Sequence, residues 1–276
     1  MRGKTMTDFS FPLDGPIQLV VRIGHGSVTV LTEDGLPAAT VRLNAGKHAQ
    51  ELLTRTVVEM HGRALNVVAP RQGGVLDLPF LGKWSGRGLD VEITVPTRTP
   101  VKISTYTAPI RIPGLVGDAD LAFGAGEAAV RDVDGDLRVR FGSGTVKAVH
   151  VSGSVQLRSG SGNAQLGEVG GALACGCGNG DLAVRIARGP VRARSGSGSA
   201  RLAEVHGDVD VASGAGEVEI GLPAGLNAQL DLQSGSGQVR SELPVDDRPG
   251  KGTGNGKPIR LRARTGSGDV RLFRAA

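Results

Sequence analysis

The sequence predicts an all-β fold, a β-solenoid built from 18-residue coils, from the spacing of its glycines. One glycine recurs with an 18-residue period from 117 to 225, and a Gly-x-Gly step recurs with the same period between these glycines. A period of this length is typical of stacked supersecondary units. The recurring glycines, which we expect to be structural residues at turns, are Gly117, Gly124, Gly135, Gly142, Gly153, Gly160, Gly171, Gly178, Gly189, Gly196, Gly207, Gly214 and Gly225.

The composition agrees with a solenoid and excludes other repetitive classes. Glycine makes up 44 of the 276 residues, but it is periodic and is mixed with valine, leucine and alanine. Collagen requires glycine at every third position, and flexible linkers lack the aliphatic residues. Aromatic residues are only 3% of the chain, so we expect small aliphatic side chains to fill the core.

The aliphatic residues fall into columns when each coil is numbered from 1 to 18, starting at its glycine. Alternate positions of a strand face the same side, so a column of this kind predicts an inward face. Positions 5, 14 and 17 hold the clearest columns: Leu121, Val139, Leu157, Cys175, Ala193 and Val211; Val130, Ala148, Leu166, Val184, Leu202 and Ile220; Val133, Val151, Val169, Ala187 and Val205.

The glycines at the turns are expected to have positive φ and to allow close stacking of the coils. On this interpretation the first glycine of each Gly-x-Gly step, Gly160 for example, is a residue of positive φ. A valine there is expected to be strained and to separate the coils.

The chain divides into residues 1–113, a β-strand region that caps or extends the solenoid, and residues 114–276, the repeats. In the first region we predict strands near 9–32, 39–43, 89–96 and 101–106, a hairpin of 55–60 with 64–70, and a loop over 71–88. In the second, two further Gly-x-Gly copies are out of phase, residues 244–258 form an insertion loop, and the terminal segment 271–276 is expected to close the stack.

No cofactor or metal site is predicted from the Gly-x-Gly steps. They lack the strand–turn–helix context and the Ser or Thr of phosphate-binding loops. Calcium-binding solenoids need an aspartate at every turn, and most coils here lack a carboxylate. Cys175 and Cys177 have no further cysteine or histidine ligands at zinc-site spacing, so we interpret them as core residues.

The sequence does not indicate an enzyme. Left-handed hexapeptide acyltransferases share the 18-residue coil but need an aliphatic residue at every sixth position, and every third such slot here is polar. A polysaccharide-active β-helix would need carboxylates grouped in a groove. Glu127, Asp181 and Glu217 share a column but lie on different coils.

Arginines on the outward positions are the candidate binding residues. The net charge is +5, and Arg140, Arg158 and Arg194 share position 6 of their coils. They are possible contacts for an anionic polymer or an acidic protein partner. Asp210 is expected beside Arg192 and Glu219 between Arg201 and Arg240, which would neutralise the face. The lack of aromatic residues for base stacking argues against nucleic acid as the partner.

The segment 1–15 has no apolar core of the kind found in secretory signals, and no apolar run is long enough to span a membrane. The sequence therefore favours a cytoplasmic location.

The repeats SGSGNAQL, SGSGSARL, SGAGEVEI, SGSGQVRS and TGSGDVRL resemble a bacterial β-strand-repeat family known as "putative adhesin", especially its actinobacterial members. The chain is also similar to the head domain of auto-transporter adhesins. The resemblance implies a β-repeat fold over most of the chain, and it brings no catalytic residues with it.

We therefore predict a non-enzymatic interaction or scaffold protein whose partner is a protein or an anionic polymer. The alternatives are a cytoplasmic β-helix that self-associates end to end, as bactofilins do, and a polysaccharide-active β-helix enzyme. The long N-terminal region argues against the first alternative, and the absence of an acidic groove argues against the second.

Overall fold

A computed structural model describes residues 5–46, 49–70, 88–243 and 258–275, and these form two compact units, Met1–Asp134 and Gly135–Ala276. Nearly all the regular structure is β-strand, which confirms the predicted fold class. The loops predicted at 71–88 and 244–258 lie, apart from their last residues, outside the described part of the chain. The predicted boundary at 113/114 separates the two sequence patterns, whereas the two compact units divide after residue 134.

The first unit contains a short helix and strands of five to fifteen residues. The helix α1 is Gln50–Arg55, and the strands are β1 Thr5–Pro12, β2 Gln18–Arg22, β3 Gly26–Glu33, β4 Ala38–Ala45, β5 Val57–His61, β6 Ala64–Val68, β7 Leu89–Pro96, β8 Val101–Thr105, β9 Ile110–Val116 and β10 Ala119–Val133.

Parallel pairing in this unit already has the two-row arrangement of a solenoid. In one row β2 lies between β6 and β8, and in the other β3 lies between β7 and β9. The long strand β10 joins both rows, because its first part pairs with β8 and its second part with β9. The earliest coil in the sequence, β2 with β3, is therefore internal to the stack.

Antiparallel strands cover the outermost strand of each row. β4 pairs with β7 and β1 pairs with β4, while β5 pairs with β6. The β5–β6 hairpin turns at Gly62, whose φ is 57°, and this confirms the predicted hairpin. Since an unpaired parallel edge invites association with other chains, these antiparallel strands protect this part of the unit.

The second unit consists of strands alone within its described residues. They are β11 Leu137–Val151, β12 Val155–Val169, β13 Leu173–Asn179, β14 Leu182–Ala187, β15 Val191–Ser197, β16 Ala200–Val205, β17 Val209–Ala215, β18 Val218–Leu222, β19 Ala228–Ser234, β20 Val239–Ser241, β21 Ile259–Ser267 and β22 Val270–Arg274.

Neighbouring coils from β11 to β18 are offset by the predicted 18-residue period. Leu137 pairs with Val155, Val155 with Leu173, and Leu173 with Val191, all in parallel. All the residues of the three predicted aliphatic columns are buried, including those of the first unit. Each fully buried valine or leucine stabilises the fold by about 1.5–3 kcal/mol, so the columns supply the core.

The coils at the C-terminal end are not stacked in sequence order. β21 pairs on one side with β17 and on the other with β19, and β22 lies in the same way between β18 and β20. The last coil in the sequence is thus inserted between the coil of β17–β18 and the coil of β19–β20. The expectation that residues 271–276 close the stack is therefore wrong, and β19 with β20 forms the outermost coil among the described strands.

The predicted backbone geometry of the turn glycines also needs correction. Positive φ belongs to the second glycine of most steps, such as Gly180 (133°) and Gly198 (146°), and not to first glycines such as Gly160. The first glycine is required for another reason: a Cβ on Gly178 would lie 2.6 Å from the carbonyl oxygen of Gly160 in the preceding coil. Close backbone approach, and not backbone strain, therefore selects glycine at the first position of the step.

Replacement of Gly178 by alanine tests this close packing. An added Cβ would lie 2.6 Å from the carbonyl oxygen of Gly160, and Gly178 does not have positive φ, so backbone strain does not contribute. We expect Gly178→Ala to lower the free energy of unfolding by about 1–3 kcal/mol, measured by urea denaturation under reducing conditions.

Gly176→Ala is the matched control in the same unit. Gly176 does not have positive φ, and an added Cβ there would meet nothing within 4 Å. We expect its stability to stay within about 0.5 kcal/mol of the original protein. Equal losses for the two variants would contradict the assignment of close approach to Gly178.

A pair of leucines tests the order of the coils. Leu261 is fully buried, whereas its register partner Leu230 is half-buried on the outermost coil. We expect Leu261→Ala to cost about 2–5 kcal/mol and Leu230→Ala clearly less, because only the inner site leaves an enclosed cavity. A stack in sequence order would place Leu230 inside and reverse the two values.

Candidate functional site

The outward positions of one row of strands form a surface rich in arginine, which we call the arginine face. It is built from β11, β12, β13, β15, β17, β21 and β19 in that spatial order. Alternate residues of a strand point outward, so positions 4 and 6 of every coil share this surface. The arginine face contains the exposed residues Arg138, Arg140, Arg158, Arg192, Arg194, Arg262 and Arg264, and the half-buried residues Asp210 and Asp231.

The two aspartates neutralise only part of this surface. Asp210 lies 3.6 Å from Nη2 of Arg194, and Asp231 accepts hydrogen bonds from Arg262 (2.8 Å) and Arg264 (3.3 Å). The hydrogen bond from Arg262 lowers the pKa of Asp231 below its usual value. Asp210 is the register neighbour of Arg192, as predicted. These ion pairs are exposed and individually weak, so the face keeps an excess of positive charge.

The three arginines selected from the sequence lie along one line of the arginine face. Arg140 is the register neighbour of Arg158, and Gly176 separates Arg158 from Arg194. Strands in a sheet are about 4.8 Å apart, so Arg140 and Arg158 place two like charges side by side. Like charges directly opposite each other destabilise a sheet. Within the described residues no carboxylate forms an ion pair with Arg158, so this repulsion is not neutralised at Arg158.

Three arginines of the second unit that lie outside the arginine face are paired with carboxylates. Nε of Arg188 donates to Glu168 at 2.5 Å, Arg201 lies 3.4 Å from Glu219, and Arg271 donates to Glu242 at 2.6 Å. The hydrogen bond from Arg188 lowers the pKa of Glu168. Arg240 is the neighbour that the sequence predicts for Glu219, but the inserted last coil places Arg271 there instead.

A second surface feature is an open groove of about 500 Å³ across β11, β12, β14 and β16. Its lining is mostly small and aliphatic, and it also contains Gln165 and three basic residues. The lining residues include Lys147, Val149, Gly167, Ala183, Arg185 and Arg201. Val149 is 57% exposed, and a Cβ on Gly167 would collide with the carbonyl of Val149, so the close approach of the two coils leaves no room for a side chain at Gly167.

The polar residues that follow the Gly-x-Gly steps have a structural role that the sequence analysis did not identify. The side chain of Asn163 accepts a hydrogen bond from the backbone N–H of Asp181 (2.9 Å), and Asp181 accepts one from Ser199 (2.8 Å). Ser199 Oγ in turn accepts from the N–H of Glu217 (3.3 Å). The sequence does contain a signal for this role, namely short Asn, Asp and Ser side chains in one column. Such side chains commonly form hydrogen bonds with nearby backbone groups.

Asp181 is therefore engaged in coil-to-coil bonding and is not grouped with other carboxylates. Among the described residues no three His, Cys, Asp or Glu side chains lie together in a way that could hold a metal ion. No helix in the described part of the chain is long and apolar enough to cross a membrane.

Residues 45–273 match the family model described as Toastrack DUF4097, so the chain belongs to this family. The name agrees with stacked parallel coils. No curated protein matches the sequence.

Several solved structures are similar to the chain over nearly their full length, at low identity. A "putative adhesin" from Bacteroides fragilis NCTC 9343 is 10% identical, with a TM-score of 0.45, and the match covers 99% of this chain and 98% of that one. A "putative lipid binding protein" from Parabacteroides distasonis ATCC 8503 is 13% identical, with a TM-score of 0.45 and coverage of 98% and 96%. A "putative cell adhesion protein" from Clostridium sporogenes ATCC 15579 is 11% identical, with a TM-score of 0.29 and coverage of 99% and 100%.

Proposed function

We propose that this protein is a non-enzymatic β-solenoid scaffold whose arginine face binds an anionic polymer. The observation that supports the proposal is the line of Arg140, Arg158 and Arg194, in which two like charges are direct neighbours on an exposed sheet. A bound polyanion would offset the charge of Arg158 and would add charge-assisted hydrogen bonds. An adhesin-like role is the finer form of the proposal, with a cell-surface polymer as the partner.

The stacking of the coils favours a linear partner. Parallel strands repeat the same outward positions at about 4.8 Å intervals, so cations recur along the stack and not around one point. Guanidinium groups form bidentate hydrogen bonds with phosphate and carboxylate groups, which suits a partner with repeated anionic groups. The described surface has few exposed aromatic rings, so base stacking would add little, and we expect phosphate polymers without bases to bind as well as single-stranded nucleic acid.

Polyphosphate binding tests the proposal directly. We expect measurable affinity at about 0.15 M salt and a steep fall as salt is raised, because binding releases counterions. The triple variant Arg140→Ala, Arg158→Ala, Arg194→Ala should lose most of the affinity and have a shallower salt dependence, measured by titration calorimetry at several salt concentrations.

The control is a second triple variant with the same change in net charge, Arg188→Ala, Arg201→Ala and Arg271→Ala. These arginines lie outside the arginine face and are paired with carboxylates. It should bind polyphosphate almost as tightly as the original protein. An equal loss in both triple variants would show that only net charge matters, and no binding at about 0.15 M salt would overturn the proposal.

The groove supports a second candidate function, binding of an anionic amphiphile. Its volume of about 500 Å³ and its mostly apolar lining are within the range of small-molecule sites, and Lys147 and Arg185 can contact a carboxylate or phosphate there. The occupant that fits this combination is a single acyl chain with a charged head.

Dodecanoate binding tests the second candidate with a matched pair of substitutions. Ala183→Asp places a carboxylate in the groove, while Ala174→Asp places one on the arginine face. We expect fluorescence displacement to show at least about tenfold weaker binding for the first variant only, because an anion there repels the head group and hydrates the lining. Equal binding by both variants would exclude the groove.

A further inference from the structure

Two free thiols lie together on the inward side of β13. Cys175 and Cys177 are separated by one residue, so both side chains point to the same face of the strand. Cys175 is buried at 9% exposure, and Cys177 is half-buried. The two side chains are close enough for each thiol to shift the pKa of the other. The sequence predicts only that both cysteines pack in the core. Their proximity on one face of the strand is an additional feature.

The column that contains Cys177 is polar on both sides of this residue. Its register neighbours on the two adjacent strands are Ser159 and Ser195. Both serine hydroxyl oxygens are buried, and neither makes a hydrogen bond of normal geometry within the described residues. Buried hydroxyl groups of this kind need an explanation, and a thiolate between them would be an acceptor for both. Ser195 already lies near enough to favour the thiolate form of Cys177.

The two thiols differ in acidity. A hydrogen bond from the Cys175 thiol lowers the pKa of Cys177 to about 6, although partial burial and the negative charge of Asp181 act in the opposite direction. The pKa of Cys175 is raised well above its usual range, first by that hydrogen bond and then by burial. Weak contacts from the Cys177 sulfur to the carbonyls of Gly180 (3.7 Å) and Arg194 (3.9 Å) favour its protonated form, but at these lengths they contribute less than the thiol donor.

We propose that Cys175 and Cys177 are a dithiol site for exchange with small disulfides, in which Cys177 is the attacking sulfur and Cys175 the resolving one. The Cys177 thiolate attacks one sulfur of the external disulfide, a mixed disulfide forms, and the other sulfur leaves as a thiolate. Cys175 then loses its proton to a released thiolate, and its sulfur attacks that of Cys177. The protein dithiol is oxidised to a disulfide, and the external disulfide is reduced to two thiols.

The backbone allows this ring to close, but only under strain. Residues two apart on a strand have Cα atoms about 6.6 Å apart, at the upper end of the range that a disulfide spans. Gly176 lies between the two cysteines, and its surroundings are open within 4 Å of an added Cβ. A glycine at this point lets the strand bend locally. We therefore expect a bond that forms reversibly and is reduced more easily than a structural disulfide.

The pH dependence of alkylation by iodoacetamide tests the assignment of the attacking sulfur. In the folded protein we expect one reactive thiol with a midpoint near pH 6, and none in Cys177→Ser. Cys175→Ser keeps a hydroxyl donor, so the alkylation midpoint of Cys177 should stay low in this variant. Cys175→Ala removes the donor and should raise the alkylation midpoint of Cys177. A midpoint at or above about 8.5 in the original protein, the value of an ordinary thiol, would overturn the proposal.

Oxidised glutathione tests the exchange itself by mass spectrometry. We expect the original protein to lose two hydrogens without gaining glutathione, and Cys175→Ala to stop at the mixed disulfide. Circular dichroism of each variant shows whether it is folded. Two intact thiols in the folded protein after exposure to the disulfide, or oxidation only between molecules, would contradict the proposal.

Discussion

The close approach of one coil's carbonyl groups to the glycines of the next determines the structure of the second unit. A Cβ on Gly196 would lie 2.7 Å from the carbonyl oxygen of Gly178, and the same contact recurs at Gly214 with Gly196. The aliphatic columns contribute most of the favourable free energy, but they interlock only when the backbones keep this spacing. Since each coil also repeats the outward positions of the previous one, a residue type that recurs with the 18-residue period becomes a continuous line on the surface. The arginine face, the groove and the Asn–Asp–Ser column are three such lines.

Much of the fold can be predicted from the sequence, because an exact period determines which residues become neighbours. Val139, Ala148 and Val151 are buried as predicted, since each has an aliphatic counterpart at the same position of the next coil. The hairpin at Gly62 needed only alternating strand residues and a turn residue between them. The serine neighbours of Cys177 could also be predicted from the sequence, because the 18-residue period places a serine on each side of this residue.

The order of the last coils could not be predicted from the pattern. LQSGSGQVRS and ARTGSGDVRL have the same glycine spacing, so either can pair with the coil of β17 and β18 without breaking the columns. The choice between them depends on long-range packing. The φ values of the turns differ from the prediction for a similar reason: both glycines of a step recur in the repeats, and the pattern does not say which one has the unusual backbone angle.

The inserted last coil constrains how the chain reaches its native state during synthesis on the ribosome. Residues 228–241 are made before residues 259–274, yet the later segment occupies the place next to β17 and β18. If the earlier segment docks there first, that pairing must break before the native order can form. The native order of the last coils therefore forms only after residues 259–274 have left the ribosome, because β21 and β22 must be in place before β19 and β20 can pair with them.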